Sequence, residues 1–484
     1  MTLETLLNIH GRIQWGEADK NLQAKAVCFD SREVSPGCVY VAIRGHSSDG
    51  HQYLPQATEA GAIAVVVEDF SLIPAEFKGV VVEVLDARLS LQLLSQKFYG
   101  SPGEGLLSIA VTGTNGKTST TAIVEYLLNA QDQLCGVIGT IDHHIANKVW
   151  ETQLTTPDPV TLQSRLKDFT ECGGKSFIIE ASSHALDQNR INQGFDVTMF
   201  TNLSRDHLDY HQNMDQYFDA KAKLFKASML KDDRDCMAVV NIDDLYGQRL
   251  VPMIEGRRVY TFGKGEGCDL RFAIVNSHLN GTDINLTLAG GYNFLIQSPL
   301  IGEHNAYNLV GGLAVIYGMG FDLQKAASDF IDFSGIPGRM QKIKGPQGVF
   351  GFVDYAHTPD ALEQSILSLK PLIAEGKKLI TVFGCGGDRD PGKRPIMGEL
   401  ANRLSDLTIV TSDNPRTEEP AQIVSEICEG FVHVKGAQFL PIVDREEAIQ
   451  KACDYAEPGD AILVAGKGHE TYQIIGDQKL HFDD

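Results

Sequence analysis

The chain reads as an α/β protein of three domains: a small N-terminal α/β domain, a central domain on a P-loop ATPase-like parallel sheet, and a Rossmann-like C-terminal domain. Three observations predict this. At 484 residues the chain exceeds what one hydrophobic core supports. Short apolar runs of strand length alternate with helical patterns along most of it. One junction, Val111-Thr112-Gly113-Thr114-Asn115-Gly116-Lys117-Thr118, passes from a strand through a Gly-rich turn into a helix, the context of a phosphate-binding loop.

Taken in order, residues 1–100 carry short strands at 39–43 and 62–67 among helical stretches. The turn Gly100-Ser101-Pro102-Gly103 marks the first joint. In residues 101–334, an apolar run at 106–111 precedes the loop, and Ile123, Val124, Leu127 and Leu128 share one face of the helix after it. Runs at 177–180, 197–202 and 237–242 suit a parallel sheet buried on both faces. Ser334-Gly335-Ile336-Pro337-Gly338 marks the second joint, near 335. Strands at 349–354, 379–383, 407–411 and 461–465, separated by helical patterns, predict a doubly wound sheet over 335–484. There is no internal repeat.

Composition excludes several classes. Apolar content of 43% and charged content of 22% are those of a globular protein. Forty-two Lys and Arg stand against 63 acidic residues, a net charge of −21. That balance argues against nucleic-acid and membrane-surface partners, which need broad positive potential. An anionic ligand must then be held by a few placed cations and N–H groups. No apolar stretch approaches the roughly 20 residues of a bilayer span, and Met1-Thr2-Leu3-Glu4 lacks the basic start of a secretory signal. Nine cysteines without a Cys-x-x-Cys pair suggest a reduced compartment, so a cytoplasmic location is expected.

The chemistry gathers around the loop. Glycines let the backbone wrap an anion, Lys117 adds a point charge, and the Thr118 hydroxyl suits a magnesium ion, so a nucleoside triphosphate is expected. The usual spacing asks for a glycine where Val111 stands. Ligands of open α/β sheets collect beyond the carboxyl ends of strands. Glu180 ends one such strand and His207 follows another, so both can approach the loop. A carboxylate beside a triphosphate is a natural magnesium ligand; a histidine would imply a second, more crowded ion. Taken singly, Glu180 is equally a buried carboxylate satisfied by N–H groups, and His207 a structural histidine.

Together these motifs resemble the Mur ligases of bacterial peptidoglycan synthesis. The resemblance rests on Thr112 to Thr118, Glu180-Ala181-Ser182-Ser183-His184, Asp206-His207-Leu208-Asp209-Tyr210-His211 and His304-Asn305-Ala306-Tyr307-Asn308. Pro337-Gly338-Arg339-Met340-Gln341, Asp354-Tyr355-Ala356-His357, Gly384-Cys385-Gly386-Gly387-Asp388-Arg389-Asp390 and Gly466-Lys467-Gly468-His469-Glu470 extend it over essentially the whole chain. Within the family the nearest pattern is that of the enzymes adding the third amino acid of the stem peptide, and the loop's unusual glycine spacing is normal there.

The resemblance implies roles. Gly113, Thr114, Asn115, Gly116, Lys117, Thr118 and Ser119 would bind ATP, with Asn305, Arg339 and Asp354 as further nucleotide contacts. Thr118 and Glu180 would hold one magnesium ion and His207 a second, and Lys221 would carry a carbamate formed with carbon dioxide. Lys117, Glu180, His207 and Lys221 are thus the catalytic candidates. Read without the family, Lys221 is a solvated helix lysine. The acceptor would be UDP-N-acetylmuramoyl-L-alanyl-D-glutamate, its uridine diphosphate end met by Ser31, His46, Ser47 and Ser48. Its sugar and peptide would meet Thr155, Thr156, Ser182, Gln188 and Arg190, with Leu154 departing from the polar residue that some relatives place there.

Asp413, Asn414, Pro415 and Arg416 resemble the signature of members selecting meso-diaminopimelate, and Arg389, Gly466 and Glu470 would complete that site. Diaminopimelate has a distal carboxylate that lysine lacks, and a guanidinium can grip it through paired hydrogen bonds. The expected activity is ATP-dependent amide ligation through an acyl phosphate, by a monomer acting on small molecules. The alternatives are a lysine-adding relative, a folylpolyglutamate synthetase-like ligase and a nucleotide switch without ligase chemistry.

Overall fold

In Leu107–Thr112 every residue after the first is buried, as a strand covered on both faces requires. A computed structural model describes residues 1–17, 20–45, 48–191, 193–231, 235–345, 348–433 and 438–484, with only the backbone of 344, 432 and 433. The chain divides into two compact units: Met1–Asp269 with Gly311–Asp322, and Leu270–Val310 with Leu323–Asp484.

In the first unit Leu107–Thr112 lies between Ser176–Glu180 and Val197–Phe200, parallel to both, with Val111 opposite Glu180 and Thr112 opposite Phe200. The segments leaving these three carboxyl ends therefore open side by side. Met237–Asn241 and Arg258–Gly263 continue the parallel sheet on one flank, Cys135–Ile138 on the other. An antiparallel pair, His143–Ile145 and Lys148–Trp150, follows Cys135–Ile138. Helix Lys117–Asn129 buries Ile123, Val124, Leu127 and Leu128, the face its periodicity marked. Each such side chain contributes about 2 kcal/mol of burial.

The N-terminal sheet of this unit runs Arg12–Gln14, Val80–Glu83, Ala64–Val67, Cys38–Val41, Ala26–Cys28. Only the Arg12–Gln14 edge is antiparallel. All nine cysteines are free.

The second unit holds the expected doubly wound sheet. Phe350–Asp354, Ala461–Ala465, Leu379–Phe383, Leu407–Val410 and Phe439–Pro441 are parallel, and Gln341–Lys344 pairs antiparallel at the first edge. It also contains an antiparallel ladder that the sequence reading lacked: Leu270–His278, Gly281–Leu288 and Asn293–Ser298. Exposed positions interrupt these strands, so they do not form the continuous apolar runs of a doubly covered sheet. Among the described residues no helix is long and apolar enough to cross a membrane.

Candidate active site

The loop after Leu107–Thr112 is held from the neighbouring strand's exit. Thr114 N–H donates to the Asn202 carbonyl at 2.9 Å, and Asn115 N–H to Asn202 Oδ1 at 3.0 Å. Gly113 has φ +150°, and a β-carbon there would stand 1.9 Å from Thr201 Oγ1, so only glycine fits. Gly116 caps the helix that begins at Lys117. The N-terminus of that helix and its dipole favour an anion. Ser119, two residues into the helix, is buried.

Glu180 is 1% exposed, yet among the described residues no Lys or Arg pairs with it. Its Oε2 accepts from Thr118 Oγ1 and Thr140 Oγ1, each at 3.0 Å, and its Oε1 from Thr140 N–H at 2.9 Å. A buried carboxylate held by neutral donors alone is short of positive charge. With the Thr118 hydroxyl it offers hard oxygens at the mouth of the phosphate loop, which fits magnesium completing its shell with phosphate and water oxygens. Among the described residues no three His, Cys, Asp or Glu side chains form a ready-made metal cluster, so the remaining ligands must come from elsewhere.

Lys221, on helix Met214–Ala222, is buried rather than solvated: it is 2% exposed. Its Nζ donates to the Gly113 carbonyl at 2.8 Å and lies 4.7 Å from the centre of the Tyr217 ring. Lys117 Nζ donates to the same carbonyl at 2.9 Å and to Thr114 O at 2.8 Å. Burial, and then the charge of Lys117, hold the Lys221 amine well below the ordinary lysine range. His207 stands edge-on to Tyr217, ring centres 5.9 Å apart, and 5.0 Å from His184. It adopts φ +51°, a left-handed conformation costly for a residue with a β-carbon, and half of its side chain is exposed.

The candidates for the acceptor's sugar and peptide converge beside Glu180. Thr156 Oγ1 donates to the Glu180 carbonyl at 2.6 Å and accepts from Ser182 N–H at 3.0 Å. Arg190 donates to Thr156 O at 2.8 Å and to Gln188 Oε1 at 3.0 Å. Thr155 Oγ1 lies 3.1 Å from Thr140 Oγ1. Leu154, the departing position, is exposed. Ser31, in the N-terminal sheet's loop, donates to Gln56 Oε1 at 3.0 Å, and Ser48 is exposed. His46 and Ser47 lie outside the described residues.

In the second unit, Asp413 to Arg416 leave the strand Leu407–Val410 and are held by the hairpin Tyr472–Ile475 and Gln478–His481. Asn414 Oδ1 accepts from Ile474 N–H at 2.8 Å, and its amide donates to Glu470 Oε2 at 2.8 Å. The Arg416 backbone bridges Ile474 and Gly476, keeping it at φ +53°, while Nη1 donates to Gly387 O at 2.7 Å. Pro415 is buried behind it. Asp413 presses its carboxylate against Gly466. Burial, then Asp413, raise the pKa of Glu470, and a cation placed there would favour its ionised form. Arg389 is exposed, its guanidinium on Asp388 O at 3.3 Å, and shares the Gly386 turn with Arg416.

The same unit places the remaining nucleotide candidates. Asp354 accepts from Met340 and Ala356 N–H at 2.7 and 3.1 Å. Arg339 stacks 5.1 Å from the Tyr355 ring centre, and its Nε is buried without a hydrogen-bond partner among the described residues. Asn305 donates to Ile301 O at 2.9 Å and accepts from Asn308 at 3.2 Å.

Residues 23–99 match the Mur ligase family catalytic domain, 111–316 the Mur ligase middle domain, and 338–468 the Mur ligase glutamate ligase domain. The UDP-N-acetylmuramoyl-L-alanyl-D-glutamate--2,6-diaminopimelate ligase of Geobacter metallireducens is 41% identical, over 96% of this chain and 93% of its own. The chain belongs to the Mur ligase family. The enzyme of the same name from Synechococcus elongatus is 42% identical over 94% of this Mur ligase and 91% of its own chain. A solved structure bearing that name superposes with a TM-score of 0.73 at 34% identity, covering 100% of this chain and 96% of the other.

Two features of this Mur ligase were not anticipated from its sequence. Gly139 and Thr140 clasp Glu180, although Gly-Thr alone reads as a turn. What places it there is the parallel pairing of Cys135–Ile138 with Ser176–Glu180. His144 joins Glu125 of the phosphate-loop helix at 3.0 Å to Asp142 at 2.5 Å, bracing the edge hairpin that leads towards Thr155. No spacing rule connects those three positions.

Proposed function

We propose that this chain is an ATP-dependent ligase that joins meso-2,6-diaminopimelate to the D-glutamyl γ-carboxyl of UDP-N-acetylmuramoyl-L-alanyl-D-glutamate, in peptidoglycan precursor synthesis. One observation carries it: around the end of strand Leu107–Thr112 an anion-binding helix start, a cation-seeking carboxylate and a buried lysine converge. The naming of relatives about 40% identical over nearly the whole chain points the same way.

In the first step the acceptor's γ-carboxylate attacks the γ-phosphorus of ATP, ADP leaves, and an acyl phosphate forms. Lys117 and the helix N-terminus stabilise charge on the phosphates. Bound to Thr118 and Glu180, magnesium would supply charge neutralisation there, and His207 is the proposed ligand of a second ion. Lys221 suits carbamylation, because burial and Lys117 disfavour its ammonium form, and the free amine adds to carbon dioxide and loses a proton. That places an anion beside Lys117. In the second step the amine of diaminopimelate forms a bond to the acyl carbon, phosphate departs from it, and the nitrogen sheds a proton.

Thr155, Thr156, Ser182, Gln188 and Arg190 orient the acceptor's sugar and peptide, and Ser31 and Ser48 its uridine diphosphate end. Asn305, Arg339 and Asp354 are the remaining nucleotide contacts. Arg416 grips the distal carboxylate of diaminopimelate, with Arg389, Asp413, Asn414, Pro415 and Gly466 shaping the site. Glu470 meets the distal ammonium. Domain joints near 100 and 335, a monomeric state and a bacterial cytoplasmic location belong to this reading.

The test is phosphate release and product mass with the UDP-linked dipeptide, ATP and an equal mixture of diaminopimelate and lysine. The expected product carries diaminopimelate alone, and phosphate appears only when acceptor and amino acid are both present. Equal incorporation of lysine would defeat the specificity, and phosphate release without either substrate would defeat the ligase.

A further inference from the structure

Among the described residues Glu180 has three donors, and two of them come from one residue outside the motifs described above. The Thr140 N–H fixes Oε1 at 2.9 Å and the Thr140 hydroxyl fixes Oε2 at 3.0 Å. The backbone turn carrying it is pressed against the carboxylate, since a β-carbon at Gly139 would stand 2.6 Å from Glu180 Oε1. Thr118, the third donor, must turn a lone pair towards any cation it ligates. Thr140 faces no such demand, so it is the group that can hold the carboxylate plane constant.

A hydroxyl has one proton to donate. An ionised carboxylate only accepts, so the Thr140 proton is committed to Glu180. Across the 3.1 Å contact Thr140 must then accept from Thr155. Thr155 in turn has its own proton committed inward and presents only lone pairs to the open side. A hydroxyl in that state recognises an N–H donor, such as a peptide amide, and not a phosphate or carboxylate oxygen.

We propose that Thr140 is a positioning residue that sets the orientation of Glu180 and the polarity of Thr155, making the acceptor's peptide N–H the group that Thr155 reads. This rests on the ligase reading above. Residues that orient a metal ligand through a hydrogen bond typically matter by about 10- to 100-fold in metal affinity or activity.

The test compares Thr140→Val, Thr140→Ala and Thr140→Ser with the unaltered protein. Both deletions should raise the magnesium concentration for half-maximal turnover by about 10- to 100-fold and raise the KM for the UDP-linked acceptor. The KM for diaminopimelate should stay within about twofold. Calorimetric titration with ADP should show the same rise in the magnesium concentration required, without any turnover, and Thr140→Ser should restore both properties. Two deletions of different bulk keep the test available if one misfolds. Unchanged magnesium and acceptor dependence in the deletions would overturn the proposal. So would an equal rise in every KM with a lowered melting temperature, or a Ser variant behaving like Val. Should the unaltered protein form no amide at all, the ligase reading itself falls, an outcome distinct from these.

Discussion

Lys221 and Lys117 donate to the same oxygen, the Gly113 carbonyl, at 2.8 and 2.9 Å. Two ammonium ions on one carbonyl in a buried place repel, and burial together with the charge of Lys117 lowers the pKa of Lys221. Lys221→Ala should depress turnover by several orders of magnitude while ATP still binds, and short carboxylic acids should restore part of it by standing in for the carbamate. Full activity of that variant would refute the role. A linked stability effect has a definite sign. The folded-state pKa of Lys221 lies below its unfolded value, so the unfolded chain binds the extra proton and wild-type stability rises with pH through that window. In CO2-free buffer Lys221→Met should therefore melt higher than wild type at neutral pH, the gain shrinking as pH approaches about 10.5.

Arg416 is placed by the chain around it: its backbone is clamped by Ile474 and Gly476 and its guanidinium leans on Gly387 O. Arg416→Ala should raise the KM for diaminopimelate by about 10- to 100-fold, the worth of a charge-assisted pair. The KM for ATP should hardly move. Steady-state kinetics with each substrate varied in turn decides it, and parallel rises in both would indicate a damaged fold.

His144 sits between Asp142 and Glu125. Burial alone would lower its pKa, but hydrogen bonds and charge from the two carboxylates raise it to about 10. Because this value lies above that of the unfolded chain, the stabilisation is complete below about pH 6.5 and is lost as pH climbs through about 10. His144→Gln should cost about 2 kcal/mol at pH 6 and close to nothing above pH 10. Denaturant unfolding at several pH values measures this; a cost independent of pH would show that packing, not charge, matters there.

Gly113→Ala meets two obstacles, a φ of +150° and a β-carbon 1.9 Å from Thr201 Oγ1. The loop must shift, at a cost of about 1–3 kcal/mol. Its carbonyl also anchors both lysines. The variant should lose nucleotide binding by calorimetry while its far-ultraviolet circular dichroism remains that of the wild type. Retained ATP affinity would show that the loop tolerates the displacement.

Sequence alone determined the strands that carry the site, because a strand buried on both faces must be apolar throughout. Leu107–Thr112, Ser176–Glu180 and Val197–Phe200 announce themselves in that way, and the glycines before Lys117 announce the turn. The half-solvated ladder from Leu270 to Ser298 carries no such run and escaped notice. Tertiary structure alone decided what surrounds the reacting groups. Lys221 looked like a solvated lysine on its helix, and only the packing of that helix against the loop shows it buried on Gly113 O. Thr140 reached Glu180 across 40 positions through strand pairing. Local periodicity records which side of an element faces inward; it holds no record of which element it will face, and charge and hydrogen bonding are set by that neighbour.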